Sequence, residues 1–241
     1  MKITDRYKSL RDLPAVLPVF PLRGCILLPR AGLPLNIFEP RYLEMFDDAL
    51  SSHRLIAIVQ PARGMTAAND DGDRDDDNDD YESPEGNSVA LRQTGCIGRI
   101  TAFQELDDNR LIVSLAGVAR CMVVTELVGT KPYRSFKIST ETFVADLLPG
   151  QGEAQVPREQ LLTTLKRFLE ARNLKADWAS ISRSGTETLV NSLSVMSPYG
   201  AEEKQALLES ATLKARADML IALAEMELAS SGGGSPGSTL Q

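Results

Sequence analysis

Short apolar runs, separated by glycine, proline, asparagine and aspartate, fill the chain from residue 16 to about residue 142. The runs are VLPVFPL, LPLNIF, LIAIV, SVALR, GCIGRITAF, LIVSLAGVA, CMVVTEL and YRSFKISTETF. Runs this short and this rich in valine, isoleucine, leucine and phenylalanine are typical of strands bounded by turns. The pattern predicts about seven or eight short strands in a closed or half-closed barrel. Asp107, Asp108 and Asn109 tolerate a left-handed backbone and predict a hairpin turn.

The stretch from Leu33 to Leu50, LPLNIFEPRYLEMFDDAL, changes from a strand pattern to a helix pattern at Pro40. After this proline, apolar side chains recur at the three- to four-residue spacing of one helix face, with acidic residues opposite. We therefore expect a helix whose apolar face closes one end of the barrel. We expect Glu39 to cap this helix and Arg41 to pair with a carboxylate or with loop carbonyls at the barrel rim.

The period of the apolar residues becomes helical from Ala154 onward. The sequence predicts a first helix after Pro157 that stops near Asn173, and a second over ETLVNSLSVM. The stretch AEEKQALLESATLKARADMLIALAEMEL predicts a third, either bent near Thr212 or divided into two helices in tandem. The chain is therefore expected to be α+β, with a β-rich lobe over 16–150 and a small helical bundle lobe over 151–229. Residues 1–15 form an N-terminal extension and residues 230–241 a flexible tail in this division.

Most of the negative charge lies in one segment. The chain carries a net charge of -7, whereas DDGDRDDDNDDYESPE, residues 70–85, holds ten acidic residues and one arginine, which leaves about +2 for the rest. Asp71, Asp73, Asp75 and Glu82 have the spacing of a calcium loop, but Asp76 stands where that loop needs glycine. We expect a disordered acidic insertion over 68–87 rather than a metal site. The sequence contains no basic cluster interleaved with aromatic residues, so we expect no binding of nucleic acid.

The sequence shows little that could carry out chemistry. The single histidine, His53, excludes a multi-histidine metal site and is expected in an exposed loop. Three widely spaced cysteines indicate neither a disulfide framework nor a zinc site. Motifs for nucleotide binding and for a nucleophile elbow are missing, so we expect no catalytic residues, no cofactor and no metal. Neither a membrane-spanning run nor a signal peptide is visible, and we expect a cytoplasmic protein.

Several blocks together resemble the substrate-binding N-terminal domain of the ATP-dependent protease Lon. They are LPVFPLRGCILLPRAGLPLNIFEPRYLEMFDDAL, GCIGRITAFQELDDNRLIVSLAGVARCMV with PYR following, and SPYGAEEKQALLE, in the family's order. The resemblance implies a PUA-like β pseudobarrel followed by a helical bundle. It also implies that the corner formed by Phe38, Glu39, Pro40, Arg41 and Tyr42 is structural. Asn36 stands where many relatives have a histidine.

The resemblance implies a non-enzymatic protein that binds polypeptide, either unfolded segments or a protein partner. Because 241 residues leave no room for the ATPase and Ser-Lys protease modules of Lon, we expect a stand-alone relative without either activity. The residues we expect to contact polypeptide are Trp178, Met196 and Tyr199, unless these large side chains serve only to pack the helices. One alternative is a PUA-like RNA-associated protein, and another is an enzyme with an unrecognised Ser-Lys site. The oligomeric state is left open.

Overall fold

The strands form a strongly curved sheet. The structure is a computed structural model that describes residues 6–62 and 89–232, so residues 1–5, the acidic insertion predicted over 68–87 and the end of the chain lie outside it. The strands are β1 (Val16–Pro21), β2 (Gly32–Ile37), β3 (Leu55–Pro61), β4 (Leu91–Glu105), β5 (Leu111–Leu127) and β6 (Ser135–Ser139). Their order in the sheet is β2-β5-β4-β3-β1-β6.

β5 closes the sheet into a barrel because its two halves have different partners. Residues 111–116 pair with β2, whereas residues 122–127 pair with β6, which lies at the far end of the strand order. β1 and β3 are parallel, and the other pairs are antiparallel. The prediction of a barrel-like sheet is therefore supported, with β2 attached outside the closed ring.

The predicted number of strands was too high, since the described residues contain six. The runs LIVSLAGVA and CMVVTEL belong to the single strand β5, and GCIGRITAF forms one strand, β4, with the residues before it. Gly117 in β5 allows this continuity, because a Cβ there would lie 1.9 Å from the carbonyl oxygen of Leu28. The sequence prediction separated the two runs at Arg120, a charged residue that the structure buries within β5, where it pairs with Asp146.

The helix predicted after Pro40 is confirmed as α1 (Pro40–Leu50). Its apolar face is buried in the core, where Tyr42 packs against Phe20 at a ring distance of 4.4 Å and Phe46 meets the same ring edge-on at 6.0 Å. Glu39 occupies the N-cap position of this helix, as predicted, but its side chain makes no capping hydrogen bond there. The Glu39 carboxylate instead accepts hydrogen bonds from the Arg41 guanidinium, which is the carboxylate pairing predicted for Arg41.

The helical lobe contains α2 (Arg158–Ala171), α3 (Trp178–Arg183), α4 (Thr186–Met196), α5 (Ala201–Glu209) and α6 (Leu213–Gly232). The last predicted segment is therefore two helices in tandem rather than one bent helix. α3 was not predicted, because six residues are too few to show a helical period. Its N-cap residue is Asp177, whose carboxylate accepts a hydrogen bond from the main-chain N–H of Ser180.

Both lobes contribute to one continuous core. Leu28, Phe46 and Ile58 from the β lobe belong to the same cluster of buried side chains as Val190 and Leu207 from the helices. A second, smaller cluster lies within the barrel and includes Leu17, Ile97 and Cys121. Because removing apolar surface from water is the main favourable term in folding, the shared cluster holds the helices against the barrel.

Buried arginines add polar contacts between the lobes. Arg30 forms a two-pronged ion pair with Glu187 at the start of α4, with nitrogen–oxygen distances of 2.7 and 2.6 Å. Arg120 of β5 pairs in the same way with Asp146 at 2.8 Å, and it also donates to the carbonyl of Ser210 just after α5. Such planar, charge-assisted pairs fix geometry as well as energy, so these contacts set how the helical lobe sits on the barrel.

Candidate functional site

The three residues predicted to contact polypeptide have different environments. Met196, the last residue of α4, has 72% of its surface exposed, and Trp178, the first residue of α3, has 36% exposed. Tyr199 is only half-buried, and burial raises the pKa of its hydroxyl to about 12. Met196 at the end of α4 and Tyr199 in the following connection to α5 are close in the chain, whereas Trp178 lies at the start of α3.

A small cavity lies beside Tyr199. Its volume is about 40 Å³, and its lining comes from α2, α4, α6 and the connection after α4. The lining residues are Leu161, Thr164, Leu165, Phe168, Leu193, Ser197, Tyr199, Leu220, Ile221 and Ala224. Ligand pockets in proteins are roughly ten times larger, so this cavity does not suit a cofactor or a small substrate. A polypeptide at this place would have to lie across the surface of the helices.

Of the five corner residues at the start of α1, only Tyr42 is buried, whereas Glu39 and Arg41 are partly buried and Phe38 and Pro40 are exposed. Tyr42 is buried, and the Arg41 guanidinium lies 4.9 Å from the centre of its ring. Phe38, in contrast, has 63% of its surface exposed and contributes little to the core. An aromatic side chain left in water at the end of a strand is available for a contact with another molecule.

Further exposed apolar side chains lie on the strands beside Phe38, in what we call the distal β region, formed by β2, residues 101–105 of β4 and residues 111–117 of β5. Phe103, 48% exposed, lies on the same face of the sheet as Val113, and Ile112, 42% exposed, lies on the opposite face. Asn36, two positions before Phe38, lies opposite Ile112 in the β2–β5 pairing. Sequence reasoning missed this surface. The alternation of side chains along a strand could have placed Ile112 on the face of Ser114, opposite the face of Leu111 and Val113. It could not show that β2 and Phe38 lie beside this strand.

The cysteines in the core and His53 have environments that favour their uncharged forms. Burial raises the pKa of the Cys96 thiol well above its usual value and that of Cys121 to about 12. His53 is half-buried rather than exposed as predicted, because its Nδ1 accepts a hydrogen bond from the main-chain N–H of Leu55, and burial lowers its pKa. Within residues 6–62 and 89–232, no group of three or more histidine, cysteine, aspartate or glutamate side chains could hold a metal ion. The same part of the chain contains no helix long and apolar enough to cross a membrane.

Residues 16–225 match the family model described as the ATP-dependent protease La (LON) substrate-binding domain. Lon protease 2 of Myxococcus xanthus is 25% identical over 221 residues, which are 88% of this chain and 24% of that protein. Lon protease of Parabacteroides distasonis is 29% identical over 232 residues, 92% of this chain and 25% of that protein. The chain thus spans about a quarter of the length of these curated relatives.

Solved structures show the same fold. The Lon N-terminal domain protein from Xanthomonas campestris superposes with a TM-score of 0.57 at 20% identity, covering 87% of this chain and 98% of the other. The N-terminal domain of Mycobacterium avium complex Lon protease superposes with a TM-score of 0.54 at 16% identity, again with 87% of this chain and 98% of that chain covered. The likeness extends over both lobes, so barrel and helical bundle occur together in these structures as they do here.

Proposed function

Because the chain belongs to the family of LON substrate-binding domains, we propose that it binds unfolded segments of polypeptide and carries out no ATPase or peptidase reaction itself. The observation that carries this proposal is the family match over residues 16–225, which names a substrate-binding domain and includes both lobes. The substrates of the related proteases are proteins, since each is named as a protease. The buried, unpaired thiols of Cys96 and Cys121 agree with a reducing compartment, and we propose the cytoplasm.

Unfolded polypeptide differs from folded protein in two ways that a binding domain can recognise. It exposes apolar side chains, and its main-chain N–H and C=O groups have no partner within the chain. The exposed apolar side chains of this protein suit the first property, since burying apolar surface contributes about 25 cal/mol per Å². We propose Trp178, Met196 and Tyr199 as contacts in the helical lobe, with Met196 the most accessible of them.

A binding titration tests the proposed function directly. We would measure the fluorescence anisotropy of a labelled, permanently unfolded polypeptide as this protein is added, with the folded form of the same polypeptide as one control. A single-stranded RNA of similar length serves as a second control for the alternative of an RNA-associated protein. We expect saturable binding of the unfolded polypeptide alone. Failure of the unfolded polypeptide to bind at high protein concentration would refute the proposal.

Substitution of Met196 tests the proposed contact surface. We expect Met196→Ala to weaken binding about threefold to tenfold, because losing an apolar side chain that becomes partly buried in the complex costs roughly 1 kcal/mol of binding free energy. The protein should keep its melting temperature, because this side chain is 72% exposed. Met226→Ala is the matched control, since Met226 is a similarly exposed methionine, at 69%, on α6 in the same lobe. Equal effects of both substitutions on affinity would show that Met196 makes no specific contact.

A further inference from the structure

Within residues 6–62 and 89–232, two strand edges of the distal β region have no neighbouring strand and are open. β2 pairs there with β5 along one side only. On the other side of β5, the β3–β4 pairing ends where Leu55 meets Arg99, so residues 101–105 continue beside β5 without β3. All of residues 101–105 are exposed. An open edge of this kind carries main-chain N–H and C=O groups that a further extended chain can pair with.

The hairpin between β4 and β5 shows which main-chain groups point outward. The N–H of Leu106 donates to the carbonyl of Arg110 over 2.9 Å, so these two residues form a hydrogen-bonded pair. Hydrogen-bonded and non-hydrogen-bonded pairs alternate along an antiparallel ladder. With the observed register, the next hydrogen-bonded pairs are 104 with 112 and 102 with 114. Phe103 and Glu105 therefore direct their main-chain N–H and C=O groups away from β5, toward the open edge.

Contacts elsewhere on β5 give the same assignment. The N–H of Gly117 donates to the carbonyl of Ala31, and its carbonyl accepts from the N–H of Arg30, so residue 117 faces the β2 side. Because the direction of the main-chain groups alternates along a strand, the N–H and C=O groups of residues 111, 113 and 115 point toward β2, and those of residues 112 and 114 point toward β4. The hydroxyl of Thr101 donates to the carbonyl of Ser114, as expected if residue 114 faces β4.

The two open edges differ in what they offer. By the same alternation, the outward-facing residues of β2 are 32, 34 and 36, and residue 34 is proline. Pro34 has no N–H to donate, which is a common way in which edge strands avoid pairing with another chain. Residues 101–105 contain no proline, and they keep both outward donors. The β4 edge is therefore the better template for an added strand.

We infer that the open edge of β4 binds an extended polypeptide segment by strand addition, with main-chain hydrogen bonds to Phe103 and Glu105. The inference rests on the proposed function and adds to it the mode of recognition. Because main-chain groups are common to all sequences, such pairing suits a protein that must bind many unfolded segments. The Phe103 side chain, which shares its face with Val113 in the β4–β5 register, offers an apolar contact to one side chain of the segment.

Charges at the two ends of this edge define the segment further. Glu105 lies at one end, and the carbonyl of Arg54, which accepts from the N–H of Ile100, marks the other. Among the described residues, the ion pairs include neither Glu105 nor Arg54. The distance along the edge is about 17 Å for five extended residues. The favoured segment therefore has a basic residue beside Glu105 and an acidic residue near Arg54.

Proline substitution tests the main-chain contact. Glu105→Pro removes an outward N–H without removing a hydrogen bond to β5, and we expect it to weaken binding of the labelled unfolded polypeptide roughly tenfold. Glu105→Gln keeps the N–H and removes only the charge, so its effect should be smaller, about twofold to threefold. Asn36→Pro is the matched control on the β2 edge and should leave binding unchanged. Circular dichroism and melting temperature show whether each variant is folded.

Modified peptides test the same contact on the unaltered protein, so the result does not depend on a variant's folding. The probe is a labelled peptide of about seven residues, long enough to cover the edge, with valine and threonine alternating between a terminal lysine and a terminal glutamate. One derivative carries N-methyl groups on the valines and another on the threonines. Because alternate amides of a strand face opposite sides, we expect one derivative to lose binding and the other to bind like the parent peptide.

The outcomes separate this inference from the proposed function. If the unfolded polypeptide does not bind the unaltered protein at all, the proposed function fails. If it binds, but Glu105→Pro matches Asn36→Pro and both methylated peptides behave alike, the function stands and strand addition at β4 is wrong. If sedimentation shows a dimer that Glu105→Pro converts to monomer, while the peptide does not compete, the edge is occupied by a second copy of the chain and the inference is also wrong.

Discussion

At the scale of single residues, two buried arginines donate hydrogen bonds to the carbonyl groups at the end of α5. The last carbonyls of a helix have no partner within it. Here Arg120 donates to the carbonyls of Leu208 and Ser210, and Arg216 donates to that of Leu207. The side chain of Arg216 is buried, and desolvation together with nearby Arg120 lowers its pKa to about 10. The negative end of the helix dipole helps to keep the Arg216 guanidinium charged.

Removing Arg120 should therefore destabilise the protein strongly. Arg120→Met leaves the Asp146 carboxylate and the carbonyls after α5 without their donor, and we expect a loss of about 3 kcal/mol in the free energy of unfolding. Urea unfolding followed by circular dichroism measures this change. The control is Arg110→Met, because Arg110 pairs with Asp108 on the exposed hairpin and should not shift the unfolding midpoint. An Arg120→Met protein as stable as the unaltered one would show that these contacts contribute no net stability.

Little of this network could be predicted from the sequence. Arg120 lies 26 residues from Asp146 and 90 residues from Ser210, and no local pattern connects positions so far apart. By contrast, the turn at Asn109 was predictable because it depends on local backbone preference, and Asn109 does adopt a positive φ of 62°. Sequence reasoning about residues succeeds here where the cause is local, and it fails where the partner comes from another lobe.

At the scale of secondary-structure elements, a close approach of main chains lets β5 run as one long strand, and a buried charge accounts for its division in the prediction. α1, α2 and α4 were predictable because apolar residues at helical spacing mark the face that is buried. The prediction divided β5 at Arg120, because a charged residue between two apolar runs resembles the end of a strand, whereas the structure buries this side chain. Gly117 lets β5 pass against the segment around Leu28, and its N–H and C=O pair with that segment.

Substitution of Gly117 tests this explanation. A Cβ at residue 117 would overlap the carbonyl oxygen of Leu28, a main-chain atom that cannot easily move away, so we expect Gly117→Ala to cost about 2–3 kcal/mol. Gly129→Ala is the control, since a Cβ there would meet no atom within 4 Å. Thermal unfolding of both variants gives the comparison. Similar melting temperatures for the two would contradict the role assigned to the close approach.

At the scale of the whole molecule, the surfaces that stabilise the fold differ from the surfaces that we propose for binding. The surfaces where the lobes meet are buried and held by shared apolar packing and by ion pairs such as that of Arg30 with Glu187. The exposed apolar side chains and the open strand edge lie elsewhere, at Met196 and in the distal β region. The α+β fold was predictable from the change of apolar period along the chain. The distal β region was not, because it depends on which strands become neighbours.

The central claim is that unfolded polypeptide binds this protein at such exposed places, and amide hydrogen exchange tests it most directly. We would measure exchange at each amide of the unaltered protein, alone and with a saturating, permanently unfolded polypeptide. The account predicts slower exchange at the amides of Phe103 and Glu105 and in the connection from Met196 to Tyr199. It also predicts no change at the buried amides between the lobes, since those are already protected. Exchange that is the same at every amide with and without the polypeptide would contradict the account.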